Sequence, residues 1–208
     1  RFGENSYKYR MLVALGDAWR KAEERNDTAS MEAASNAANA LREFDEYSIT
    51  RAFLINDQSG AAIKEDLSAG HNAVMLLNQE GEAVIFSFYP TSETFPDVLS
   101  VEAEMRFIVL DSDQAYEFIH GDSGAVNNMI ASDGEIKNEN YNRLASWETN
   151  NVLGFSAFAK GVSVFQAPGT YHLLGYQCDN VANAILKEAG VNYEVKSTPN
   201  ESYNQAIK

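Results

Sequence analysis

The chain carries one cysteine in 208 residues, Cys178. That excludes an internal disulfide and any zinc site assembled from several thiolates, and it leaves the redox compartment open. Basic charge is also scarce. Sixteen Lys and Arg stand against 30 Asp and Glu, for a net charge of −14 and a pI near 4.6. A surface of that sign repels nucleic-acid phosphates and anionic bilayers, so neither is expected as a partner. No apolar run approaches the ~18 residues of a membrane helix, so membrane insertion is not expected. Repeats and low-complexity tracts are missing too. The acidic stretches at Asp111-Asp113 and Asp122 lack EF-hand ligand spacing. Gly60, Gly121 and Gly124 form no phosphate-cradling loop, and no cofactor or metal is expected. The chain opens on Arg1 without a signal-peptide pattern, which reads as a secreted or processed piece of a longer polypeptide. The sequence does not state the oligomeric state.

What is present is enough apolar content, 45%, for a real core in one large domain or a domain with an appendage. From Ser6 to Glu24, Met11, Leu12, Leu15, Ala18, Trp19 and Ala22 recur on one helical face. Asn26-Asp27-Thr28 breaks that pattern, and a second helix follows through Met31, Ala34, Ala38, Leu41 and Phe44. Residues 1–47 thus read as a helical hairpin ahead of a domain over 48–208. The hairpin is either a layer packed on that domain or a docking arm, and the sequence does not choose.

After an apolar run from Ile49 to Ile55, residues 69–90 give the clearest local signal. His71 to Leu77 and Ala83 to Tyr89 flank a polar loop with Gly81, the pattern of a β-hairpin. Pairing about Glu80 sets His71 opposite Tyr89. Alternation then puts His71, Ala73 and Met75 on one face with Ile85, Ser87 and Tyr89, which makes Ser87 and Tyr89 natural neighbours of the imidazole. By itself His71 reads equally as a strand-end histidine that only hydrogen bonds.

Val101 to Leu110 alternates as a third strand, and Asp111 with Gln114 predicts a capping box for a helix ending near His120-Gly121. His120 there suits a helix C-terminus. Residues 122–151 are polar and Asn-rich and read as loop with short helices, a candidate flap. Val152 to Phe165 fits either a buried helix or short strands. Pro168-Gly169 turns the chain into a short strand over Tyr171 to Leu174. Tyr193 to Val195 reads as another strand, followed by a polar tail.

Between these lies Cys178, at the start of a helix whose apolar stripe is Val181, Ala182, Ile185, Leu186 and Ala189, with Gly190 as its stop. A thiol there sits beside free N–H groups and the positive end of the helix dipole, which favour thiolate. A nucleophilic cysteine needs in addition a base and a group to orient that base. The candidates are Cys178, His71 and Ser87 or Tyr89. The competing reading makes Cys178 a small buried apolar residue, and His172, six residues earlier, a structural one.

The segments GHNAVMLLNQEGEAVIFSFYP and YHLLGYQCDNVANAILKEAGV together resemble the circularly permuted branch of the NlpC/P60 papain-like superfamily, related to the lecithin:retinol acyltransferases. Gly70-His71, Ser87-Phe88-Tyr89-Pro90 and Tyr171-His172-Leu173-Leu174 with Cys178 carry the likeness, over roughly residues 69 to 195. Gln177 replaces the usual Asn before the cysteine, and the aromatic of the helix's first turn is missing. The resemblance implies an α+β fold with an antiparallel sheet and packed helices, Cys178 as nucleophile, His71 as base and Ser87 in the place of the third polar residue. It implies a peptidase or peptidoglycan amidase acting on a peptide or peptidoglycan-like substrate through a thioester. Acyl transfer and a non-catalytic binding or toxin-associated module are the alternatives. The expected electrostatics follow: dipole and imidazolium lower the Cys178 pKa, burial and Asp179 raise it, and His71 should dominate, leaving a thiol well below the ordinary value of about 8.5.

Overall fold

The computed structural model describes residues 6–59, 62–64, 67–68, 70–92, 100–172 and 177–208, with backbone alone at 62–64 and 67–68. Leu173 and Leu174 of the resemblance, and Gly60, lie outside the described residues.

Ser6 accepts from the Tyr9 N–H and starts α1, Tyr7–Glu24. Asp27 does the same for Ser30 and starts α2, Thr28–Glu43. The strands are β1 Ile49–Asp57, β2 Ala62–Lys64, β3 Leu67–Ser68, β4 His71–Asn78, β5 Ala83–Pro90 and β6 Val101–Leu110. Then come α3, Ser112–His120, closed by the expected Asp111/Gln114 capping box, and β7 Ala125–Ala131, β8 Ile136–Asn140 and β9 Arg143–Glu148. The chain ends with α4 Asn151–Gln166, β10 Thr170–Tyr171, α5 Cys178–Glu188 and α6 Pro199–Ala206.

This is an α+β protein with an antiparallel sheet in the order β8-β7-β6-β5-β4-β1-β9, and β10 adds to β6. The hairpin register is the one alternation requires, with Ala73 opposite Ser87 and Met75 opposite Ile85. Both faces of the central strands are covered, so β1, β4 and β5 read as nearly unbroken apolar runs. Ala52, Leu54, Val74, Leu76, Val84, Phe86 and Phe88 face one core with α4 and α5, which also holds Met11 and Leu15 of α1 and Ala34 and Leu41 of α2. Phe53, Ile55, Ala73, Met75 and Ile85 face a second, smaller core with Phe118 of α3 and Tyr141.

Three expectations fail. Residues 122–151 are not a loop with short helices but carry β7, β8 and β9. Only β9 alternates between half-buried and exposed side chains, while β7 shifts register between Val126 and Met129 and β8 is mostly polar, so no strand period shows through. Among the described residues Tyr193 to Val195 pairs with no strand, and the polar tail folds as α6, started by Thr198 accepting from the Glu201 N–H with Pro199 in its first turn. The ambiguous stretch from Val152 resolves as one helix, α4.

Candidate functional site

Strand β4 enters the sheet after Gly70, whose φ of +78° is open to glycine and strained for other residues. A Cβ there would fall on the side chain of Asn200 in α6, so the turn is also sterically closed. His71 follows, 4% exposed, on the smaller-core face. Its Nε2 lies 2.8 Å from Ser87 Oγ, and Ser87 Oγ accepts at 2.9 Å from the Tyr141 hydroxyl. The imidazole stacks on Tyr89 with centroids 3.9 Å apart, and the Arg106 guanidinium lies over the same phenol ring at 3.5 Å. Tyr89 is therefore sandwiched between the two. Arg106 pairs with Glu104 at 2.6 Å and with Glu139, and Glu139 also accepts from the Tyr89 hydroxyl. Burial pushes the His71 pKa down to about 3, and Arg106 adds to the effect, so the imidazole is neutral.

On the opposite face Asn72 points toward the helical layer. Its Nδ2 donates to Asp179 Oδ1 at 2.8 Å and to the Pro199 carbonyl at 3.1 Å, tying β4 to α5 and α6. Asn56 donates to Asn72 Oδ1 at 2.7 Å, and Arg143 donates to Asn56, to Asn204 at 3.1 Å and to Asn200 at 2.5 Å. This polar web holds α6 over the end of β4.

Cys178 is the first residue of α5, behind Gln177, whose N–H donates to Asn180 Oδ1 at 3.0 Å. Gly190, at φ +85°, ends the helix turn as expected. The thiol is 3% exposed. Burial raises its pKa to about 12; Asp179 pushes the same way, while the backbone N–H groups of Asn72, Asp179 and Cys178 itself pull it down. The expectation of a depressed thiol pKa is thus reversed, because desolvation outweighs those donors and His71 is not an imidazolium that could offset it. Among the described residues no hydrogen bond joins the thiol to the imidazole. What meets the sulfur from β4 is the N–H of the residue next to His71.

Asp179 is fully buried, and among the described residues its Oδ2 has no hydrogen-bond partner, while Oδ1 also accepts from Tyr193 at 3.0 Å. Burial raises its pKa against the pull of Ser202, Asn72 and Tyr193. His120 is the last residue of α3, which Gly121 caps, and its ring contacts Tyr116; His172 is exposed. Among the described residues no group of His, Cys, Asp and Glu could hold a metal ion, and no helix is long and apolar enough to cross a membrane.

Sequence reasoning placed His71, Ser87 and Tyr89 together but missed Asn72, Tyr141, Arg106 and Glu139. Asp133-Gly134, between Ile130-Ala131 and Ile136, is a hairpin signal that would have put Glu139 on the sheet and Tyr141 just past the end of its strand. No family model, no curated protein and no solved structure matches this chain.

Proposed function

We propose that this protein is a cysteine hydrolase that cleaves amide bonds of a peptide or peptidoglycan-like substrate, on a permuted papain-like core of the NlpC/P60 kind. Cys178 would be the nucleophile, His71 the base and Ser87 the group that orients it. The observation that carries the reading is the placement of the thiol at a helix N-terminus against the Asn72 N–H, one residue from a histidine held by Ser87 at 2.8 Å. In such a reaction the sulfur attacks the carbonyl carbon and its proton passes to the imidazole, then to the departing amine. Water next cleaves the thioester. The N–H groups around the sulfur suit the charge that develops, first on sulfur and then on the carbonyl oxygen.

The buried, neutral thiol and the adjacent Asp179 favour a second reading, a binding module of the same architecture without chemistry. Incubation with peptides, peptidoglycan fragments and phospholipid, followed by intact-mass analysis, separates the readings. A thioester on the wild type that Cys178→Ala cannot form, with released amine, supports hydrolysis. Turnover of phospholipid alone would make acyl transfer the better reading, and an unmodified thiol with every substrate would favour the binding module.

A further inference from the structure

Ser87 has one proton to donate and two lone pairs to accept with. It is buried completely, and its Oγ has Tyr141 at 2.9 Å and His71 Nε2 at 2.8 Å. Three arrangements of the protons are conceivable, and one of them, with Ser87 accepting from both Tyr141 and Nε2–H, strands the proton of the buried Ser87 hydroxyl among the described hydrogen bonds. If Nε2–H donates to Ser87 and Ser87 donates to Tyr141, the phenol proton is left without an acceptor among the described residues, inside a side chain that is itself buried. If instead Tyr141 donates to Ser87 and Ser87 donates to Nε2, the Tyr141 and Ser87 protons and the Nε2 lone pair are all matched. Buried polar groups overwhelmingly adopt the satisfied arrangement.

We propose that Tyr141 is a positioning residue that sets the tautomer of His71 through Ser87, holding Nε2 as an acceptor and the single imidazole proton on Nδ1. The neutral state of His71 is what makes a tautomer meaningful here, and the Tyr89 and Arg106 stack prevents the ring from flipping to exchange its nitrogens. The consequence for chemistry rests on the hydrolase reading, whereas the proton pattern does not. Nδ1, the nitrogen not engaged by Ser87, is a donor in the resting protein and cannot take a proton from a thiol. For it to act as a base, the Ser87 hydroxyl must turn away from the ring so that Ser87 accepts from Nε2–H, and as long as Tyr141 keeps donating to Ser87 that turn strands the Ser87 proton. Tyr141 is therefore a brake, released by hydroxyl rotation without movement of the backbone.

Nitrogen-15 NMR reads this directly, since only three histidines are present and His71→Gln identifies the signal. The wild type should show its one-bond proton coupling at Nδ1, and Tyr141→Phe should move it wholly or partly to Nε2 and speed Cys178 alkylation at pH 8 at least threefold. A wild-type proton on Nε2 overturns the proposal even if Tyr141→Phe fails to fold, and so does a folded Tyr141→Phe with an unchanged pattern. An Nδ1 proton in a protein that turns over no substrate keeps this inference and removes the hydrolase; turnover with an Nε2 proton does the reverse.

Discussion

At the scale of single residues the site is governed by desolvation. Cys178 is raised from 9.0 to about 12, so iodoacetamide should label the folded protein with no inflection below pH 9, while the urea-unfolded chain labels with an ordinary midpoint near 8.5. A folded midpoint below 8 would contradict this. Asp179 contributes by repulsion, and Asp179→Asn should shift the alkylation profile toward lower pH. His71 carries the opposite linkage. Its folded value near 3 lies below the unfolded value of 6.5, so its stabilisation is fully present above about pH 6.5 and is lost as pH falls toward 3. Thermal melts of His71→Gln should therefore lose less stability between pH 7 and pH 4 than those of the wild type, and parallel curves would show that His71 carries no such linkage.

At the scale of elements, two joints hold the helices to the sheet. Lys8 of α1 is buried, 3.1 Å from Glu46, and donates to the carbonyls of Phe44 at 2.5 Å and Arg42 at 3.1 Å. Glu46→Ala strands that ammonium and should cost about 3–5 kcal/mol in urea unfolding, whereas Lys8→Met with Glu46→Leu should recover most of the loss. At the other joint, Gly70→Ala forces a left-handed alanine, at roughly 1–2 kcal/mol, and displaces Asn200 as well. The steric part should disappear in an Asn200→Ala background, a double-mutant cycle that isolates the contact with α6.

Elements with a clean period were legible in the sequence. Helices α1 and α2 showed their apolar stripes and the break between them, and the 71–89 hairpin showed its register because two apolar runs of equal length flank one polar loop about Glu80. The strands from 125 to 148 were not legible, since many of their side chains meet solvent and Asn127, Asn128, Asn138, Asn140 and Glu148 are among them. The same contrast explains the site. His71 and Ser87 share one hairpin, so alternation alone brings them together. Tyr141 comes 54 residues after Ser87, from the connection between β8 and β9, two strands that polar composition hid. The thiol's electrostatics were misjudged for another reason: burial is a property of the assembled layers, and no local pattern reports how completely α5 is covered.

At the scale of the whole molecule, the net charge of −14 acts on the folded state as self-repulsion. Raising salt from 10 mM toward 0.1 M brings the screening length down to about 10 Å, so the melting temperature should rise over that range before levelling off. A melting temperature that falls with salt would mean that the ion pairs, Arg106 with Glu104 and Glu139 among them, outweigh the repulsion.

The bond from Asn72 to Asp179 spans 107 positions in the chain, and the one from Asn72 to the Pro199 carbonyl spans 127. During synthesis at roughly 5–20 residues per second, the histidine strand waits on the order of 5–20 s before its cysteine exists. For that interval the strand end has neither α5 nor α6 to cover it, and Asn72 has no carboxylate to bond. The nascent chain thus passes through a period in which its most polar central-strand positions are open to water. When the cysteine does arrive, it enters a sheet that has already had time to form, and the last helix closes over it.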